Sequence, residues 1–152
     1  MRIEETTWDD PVVQRLTDDQ QDEIRGLYGG ETEPGRRPSA SDISVVLVAL
    51  DDDGTPLGCG ALRELDDGVA EVKRMYVVPS ARRRGVSRAV LAGLEATARQ
   101  RGWTVLRLET GPLQVAAIAL YTSVGYRPIP AFGSYAGDPG AADSLFLERA
   151  LP

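Results

Sequence analysis

Histidine is absent from this 152-residue chain. That removes the commonest general base and the usual imidazole-bearing zinc sites, so no metal centre is expected. The single cysteine, Cys59, excludes an intrachain disulfide and suits a reducing compartment. It lies within Gly58-Cys59-Gly60 in an apolar stretch, where a thiol behaves as a small buried hydrophobe, and no histidine is present to activate it. A covalent acyl-enzyme on Cys59 is therefore not expected. No apolar run approaches the ~20 residues that span a bilayer, and the charged start Met1-Arg2-Ile3-Glu4-Glu5 lacks the hydrophobic stretch of a signal peptide. The expectation is a cytoplasmic protein with no membrane partner. Gly-x-Gly-x-x-Gly and Gly-x-x-x-x-Gly-Lys-Ser/Thr are also missing, which leaves dinucleotide and nucleoside-triphosphate loops without support. A net charge of −6 argues against a nucleic-acid footprint.

What is present suits one globular domain spanning residues 1–152, with 42% hydrophobic and 26% charged residues. Residues 2–6 read as a short strand. Thr17 is a candidate helix N-cap, followed by Asp18, Asp19 and Asp22, with Leu16, Ile24 and Leu27 as apolar contacts and an end near Tyr28-Gly29-Gly30. Residues 31–41 read as a Pro/Gly-rich loop. Three strands follow, over 44–50, 56–65 and 69–78, separated by turns at Asp51-Asp52-Asp53-Gly54 and Asp66-Asp67-Gly68. Val86, Val90, Leu94 and Ala98 then recur at helical spacing, with Gly102 as the stop. A strand over 105–110, a short helix over 114–123, and a last strand pair over 126–129 and 143–149 complete an α+β layout. It predicts a mixed central β-sheet flanked by helices on both faces.

The densest chemistry lies at Val77-Val78-Pro79-Ser80-Ala81-Arg82-Arg83-Arg84-Gly85-Val86-Ser87-Arg88. A strand runs into a basic loop and then into the first turn of an amphipathic helix. The first N–H groups of a helix have no intrahelical partner and carry partial positive charge. Gly85 lets the backbone approach a ligand closely, and the arginines add full charges. On an acidic protein this local basic cluster points to a small polyanion such as a phosphate or pyrophosphate.

Arg82-x-x-Gly85-x-Ser87 resembles the Arg/Gln-x-x-Gly-x-Gly/Ala loop of the GNAT acetyltransferase superfamily, with Arg83 where many members carry glycine and Ser87 in the last Gly/Ala position. Glu71-Val72-Lys73-Arg74-Met75-Tyr76-Val77 enters the loop as the fourth strand of that family does. Gln114, Ala117, Leu120-Tyr121 and Gly125-Tyr126 are similar to its Asn-x-x-Ala-x-x-Leu-Tyr-x-x-x-Gly-Phe/Tyr signature. The resemblance covers about residues 43 to 151 in the family's order. It implies a GNAT-like fold, acetyl-CoA as donor, and transfer of an acetyl group to a primary amine of a small molecule (an amino acid or similar) by direct attack in a ternary complex. A homodimer is common in the family.

The resemblance also assigns positions. Arg82, Arg83, Arg84, Gly85, Val86 and Ser87 would hold the pyrophosphate. Met75, Tyr76 and Val77 would meet the pantetheine arm and the thioester oxygen through their backbones, where a bulge splays the strand. Gln114, Ala117 and Tyr121 share a helix face, with small Ala117 leaving room for the arm and Tyr121 near the sulfur as general acid. An aliphatic amine with a pKa near ~10.4 is mostly protonated at pH 7, so a base is useful, and without histidine a carboxylate is the main candidate. Glu71 stands where members with a glutamate base carry it. It may alternatively be read as a partner of Lys73 on the same strand face. Tyr28, the Glu31 to Arg37 loop and Phe132-Gly133-Ser134-Tyr135 would bound the acceptor. Lys73 or Arg74 would bind a carboxylate on it, whereas a Glu31/Glu33 rim would instead attract a cation. Other readings keep the fold with a protein N-terminus or lysine as acceptor, or make the domain a non-catalytic acyl-CoA-binding module.

Overall fold

Both predicted aspartate-rich turns form, and they fold the centre of the chain into an antiparallel meander. The computed structural model describes residues 1–30 and 34–152, so the Glu31 and Glu33 rim lies outside the described residues. In chain order the elements are β1 (Arg2–Thr6), α1 (Pro11–Leu27), β2 (Ile43–Leu50), β3 (Pro56–Glu64), β4 (Val69–Val77), α2 (Val86–Gln100), β5 (Val105–Thr110), α3 (Val115–Ser123), β6 (Arg127–Pro128) and β7 (Leu145–Ala150). They build a seven-stranded sheet in the order β1-β2-β3-β4-β5-β7-β6. The β4–β5 pair is parallel and the other pairs are antiparallel. This is the mixed α+β sheet that the pattern predicts.

The first helix starts earlier than expected. Asp10, not Thr17, is the N-cap: its carboxylate accepts from the Val12 amide at 2.9 Å and from the Thr6 hydroxyl at 2.7 Å. Those bonds, the Thr6 contribution foremost, hold its carboxyl below the usual range. Pro11 fills the first helical position, where its missing N–H costs nothing. Thr17 is buried inside the helix, with its hydroxyl donating to the Gln14 carbonyl.

Strand alternation divides the core between the two sheet faces. On one face Val86, Val90, Leu91 and Leu94 of α2 pack over Val45, Leu47, Leu62, Val72 and Leu106. On the other, Val13 and Leu16 of α1 cover Val46, Val48, Cys59, Ala61 and Tyr76. Gly60 is where α2 comes closest to β3. A Cβ there would lie 2.6 Å from the Met75 sulfur, 2.8 Å from Val90 Cγ1 and 3.0 Å from Leu94 Cδ1. Gly60→Ala should therefore cost about 1–3 kcal/mol by overpacking, read as a lower urea midpoint at constant slope.

One irregularity shapes the site. The β3–β4 register slips between Cys59/Tyr76 and Ala61/Lys73, and Arg74 takes a φ of 57°. This bulge holds a non-glycine residue in the left-handed region, at a cost of order 1–3 kcal/mol. β4 pairs with β5 only from Val69↔Val105 to Glu71↔Arg107. Beyond that point the two strands part, and the opening between them is the site.

Candidate active site

A cavity of about 380 Å³ fills the opening between β4 and β5. β4 lends Lys73, Arg74 and Met75 to its wall, and β5 with the following loop lends Glu109, Thr110 and Gly111. Gln114, Ala117 and Tyr121 line it together, so the predicted i, i+3, i+7 face does converge on one place. Gln114 itself is the N-cap of α3, not its first turn. Tyr121 is 5% exposed. Burial, then the nearby Glu109 charge, hold its hydroxyl above the ordinary tyrosine value, so it keeps its proton through the neutral range.

α1 closes the cavity with residues that composition alone does not mark. Gln20, Ile24 and Tyr28 lie at i, i+4, i+8 on one helix face, and all three line the wall. Gln20 Nε2 donates to the Met75 carbonyl at 2.7 Å, tying the bulge to the helix. The Tyr28 hydroxyl accepts from the Leu113 amide at 3.0 Å. It sits where a side chain on Gly111 would be, 1.9 Å from an ideal Cβ, so glycine is required there for the tyrosine to reach across. Glu109 is a second residue that the pattern reading passed over. It lines the cavity and accepts from the Ser144 hydroxyl at 2.7 Å. Its only sequence signal is a carboxylate on an inward-alternating strand.

Glu71 lies elsewhere. It is 1% exposed and is not part of the cavity wall. Its carboxylate accepts from the Tyr135 hydroxyl and stands 3.5 Å from Arg63 Nη1 and 3.7 Å from Lys73 Nζ. Lys73 Nζ donates to Tyr135 Oη at 3.0 Å, and Arg63 Nε reaches Asp42 at 2.8 Å. Glu71 thus belongs to a buried charge network with Lys73 as its cavity-side member. Phe132 is also set back from the wall, packed edge-on against Tyr135 and Phe146. Tyr135 touches the site through Lys73 alone among the described wall residues. Cys59 is buried outside the wall, and burial pushes its thiol up to about 12.

The basic loop lies at the far end of β4. Gly85 caps α2 in the left-handed region with open space around its Cβ position, and Arg83 is also at positive φ. Val86 is buried in the α2 core, and Ser87 begins the exposed side of the helix. Arg82 donates to the Val77 carbonyl and pairs with Glu23 at 2.6 Å, while Arg84 stands 3.5 Å from Asp51. Both pairs are solvent-exposed and worth ~1 kcal/mol or less, so a phosphate can displace them. Tyr76 and Val77 turn their side chains into the two core faces, leaving backbone at the splayed edge. An edge with no sheet partner toward β5, an open glycine at a helix start, and a small Ala117 beside the cavity together suit an extended ligand ending in phosphates.

Residues 3–126 match the model of the acetyltransferase (GNAT) family, and the chain belongs to that family, whose enzymes use acetyl-CoA. An IAA acetyltransferase from Azospirillum brasilense is 43% identical over 99 residues, which is 64% of this chain and 63% of the relative, a little under two thirds of its length. The aminoglycoside N(6')-acetyltransferase type 1 of Klebsiella aerogenes is 33% identical over 129 residues, covering 80% of this chain and 77% of the relative. Among solved structures, a candidate acyl-CoA N-acyltransferase from Klebsiella pneumoniae superposes with a TM-score of 0.83 at 34% identity, over 99% of this chain and 97% of that one. No helix among the described residues is long and apolar enough to cross a membrane.

Proposed function

We propose that this protein is an acetyl-CoA-dependent N-acetyltransferase that acetylates the primary amine of a small molecule by direct attack in a ternary complex. The observation that carries the reading is the cavity at the β4–β5 splay, with Tyr121 and a carboxylate on its walls. Its volume and its closure by Tyr28 favour a small acceptor over a peptide. Bound acetyl-CoA supplies an activated acetyl thioester. The splayed backbone at Met75, Tyr76 and Val77 orients the donor, with Gln20 fixing the bulge. Arg82, Arg83, Arg84 and the α2 start around Gly85, Val86 and Ser87 take the pyrophosphate. Tyr121 Oη holds a proton that it passes to the leaving sulfur. The buried, high-pKa Cys59 supports transfer without an acyl-enzyme.

The base is a carboxylate. The family resemblance points to Glu71, which would work through the Tyr135–Lys73 end of its network. The position of Glu109 on the wall favours a second reading, in which Glu109 takes the amine proton directly.

Calorimetric titration with acetyl-CoA tests the donor site. Wild-type protein should bind at micromolar Kd. An Arg82→Ala, Arg84→Ala double variant should lose about tenfold or more, since each charge-assisted phosphate bond contributes about 1.5–3 kcal/mol. Well-folded wild-type protein that does not bind would end the reading.

A further inference from the structure

The bulge on β4 places two consecutive basic residues, Lys73 and Arg74, on the wall of one cavity. Regular strand alternation would send them to opposite faces. Lys73 is held by Tyr135 and Glu71, and Arg74 is held by its left-handed backbone. The wall across the cavity carries Glu109 and Asp143. The charges are thus sorted, with carboxylates toward β5 and cations on the β4 bulge.

Arg74 also lines a second cavity of about 270 Å³ on the outer side of α1, which shares Gln21 with the first. Trp8, Gln14, Arg25 and Arg37 form part of its wall, and Asp18 is the carboxylate on it. Arg25 is paired with Asp22. Arg37 makes no ion pair or side-chain hydrogen bond among the described residues. A ligand that runs from the first cavity past Arg74 therefore moves from an acidic wall to a basic one.

We propose that Arg74 and Arg37 form an anion subsite, so that the acceptor is a zwitterion with a primary amine at Glu109 and Tyr121 and a carboxylate several bonds away at Arg74. This rests on the acetyltransferase reading for the reaction but not for the binding. A guanidinium at Arg74 offers a fork of donors that matches a carboxylate. Trp8 and the methylene portions of the arginines provide an apolar flank for the chain between the two charges.

The test compares straight-chain ω-amino acids of three to six carbons with their primary amides, which keep the amine and the size but lose the negative charge. Equilibrium binding is measured by calorimetry and acetyl transfer by thiol release. Wild-type protein should bind the acids about tenfold or more tightly than the amides, the range of a charge-assisted hydrogen bond. The acid-to-amide ratio should fall at least about tenfold in Arg74→Gly, persist in part in Arg74→Lys, and fall for the longer acids in Arg37→Gln. Glycine adopts the φ of 57° without strain, so Arg74→Gly should keep or raise the melting temperature, which separates lost recognition from misfolding. Equal binding of acids and amides by wild type, or a ratio unchanged in the Arg74→Gly and Arg37→Gln variants, overturns the subsite. Acids that bind in an Arg74-dependent way without being acetylated support the subsite and count against the acetyltransferase reading.

Discussion

Glu71→Ala should lower the unfolding free energy by about 3–5 kcal/mol, the usual cost of removing one member of a buried ion-pair network. Glu71 and Arg63 are 1% and 2% exposed, and the carboxylate faces Arg63, Lys73 and the Tyr135 hydroxyl at once. Without it, two buried cations lose a counter-charge and a phenol loses its acceptor. Arg63 keeps its contact with Asp42, which places the loss in the lower part of that range. Glu71→Gln should cost less, because the amide oxygen still accepts from Tyr135. Urea titration at matched slope reads the difference. A loss below about 1 kcal/mol for alanine would mean that the network is solvated and contributes no more than a surface pair. The same variants speak to catalysis. A base role for Glu71 requires Glu71→Gln to slow turnover at neutral pH more than at alkaline pH, beyond any effect on the folded fraction.

The turn signals and period-two runs made β2 to β5 legible, because each depends on neighbours a few residues away. The amphipathic spacing from Val86 to Ala98 likewise located α2. The start of α1 was misplaced because the acids after Thr17 resemble a first turn, whereas Asp10-Pro11 carries the stronger geometric signal. What could not be read were pairings between residues far apart in the chain. Glu71 meets Tyr135 across 64 positions, and Gln20 meets the Met75 carbonyl across 55. Phe132 was grouped with Tyr135 as an acceptor contact, but the aromatic cluster holds it behind the wall. The left-handed backbone at Arg74 leaves no mark in residue type, since sterics alone would predict glycine or asparagine there. The motif residues Gln114, Ala117 and Tyr121 were legible as a set, because one helix face was enough to bring them together.

Glu109→Gln should reduce kcat for acetyl transfer at pH 7 by about 10²–10⁴, the range for a positioned general base. Glu109 shares the cavity wall with Tyr121, and its charge is one reason that the tyrosine keeps its proton. A carboxylate that accepts a proton beside a phenol that gives one up is the arrangement that amine acetylation requires. The amine substrate provides the control. Its own pKa lies near ~10.4, so as pH rises it becomes a nucleophile without help. The deficit of Glu109→Gln should therefore shrink steadily between pH 7 and pH 10 as the base becomes dispensable. Ser144, which donates to Glu109, should not reproduce this pattern. Ser144→Ala removes a hydrogen bond and leaves the carboxylate in place, so its effect should stay within about tenfold at every pH. A Glu109→Gln deficit that is constant with pH would assign Glu109 to acceptor binding, and a full pH-dependent deficit in Glu71→Gln instead would return the base to the buried network.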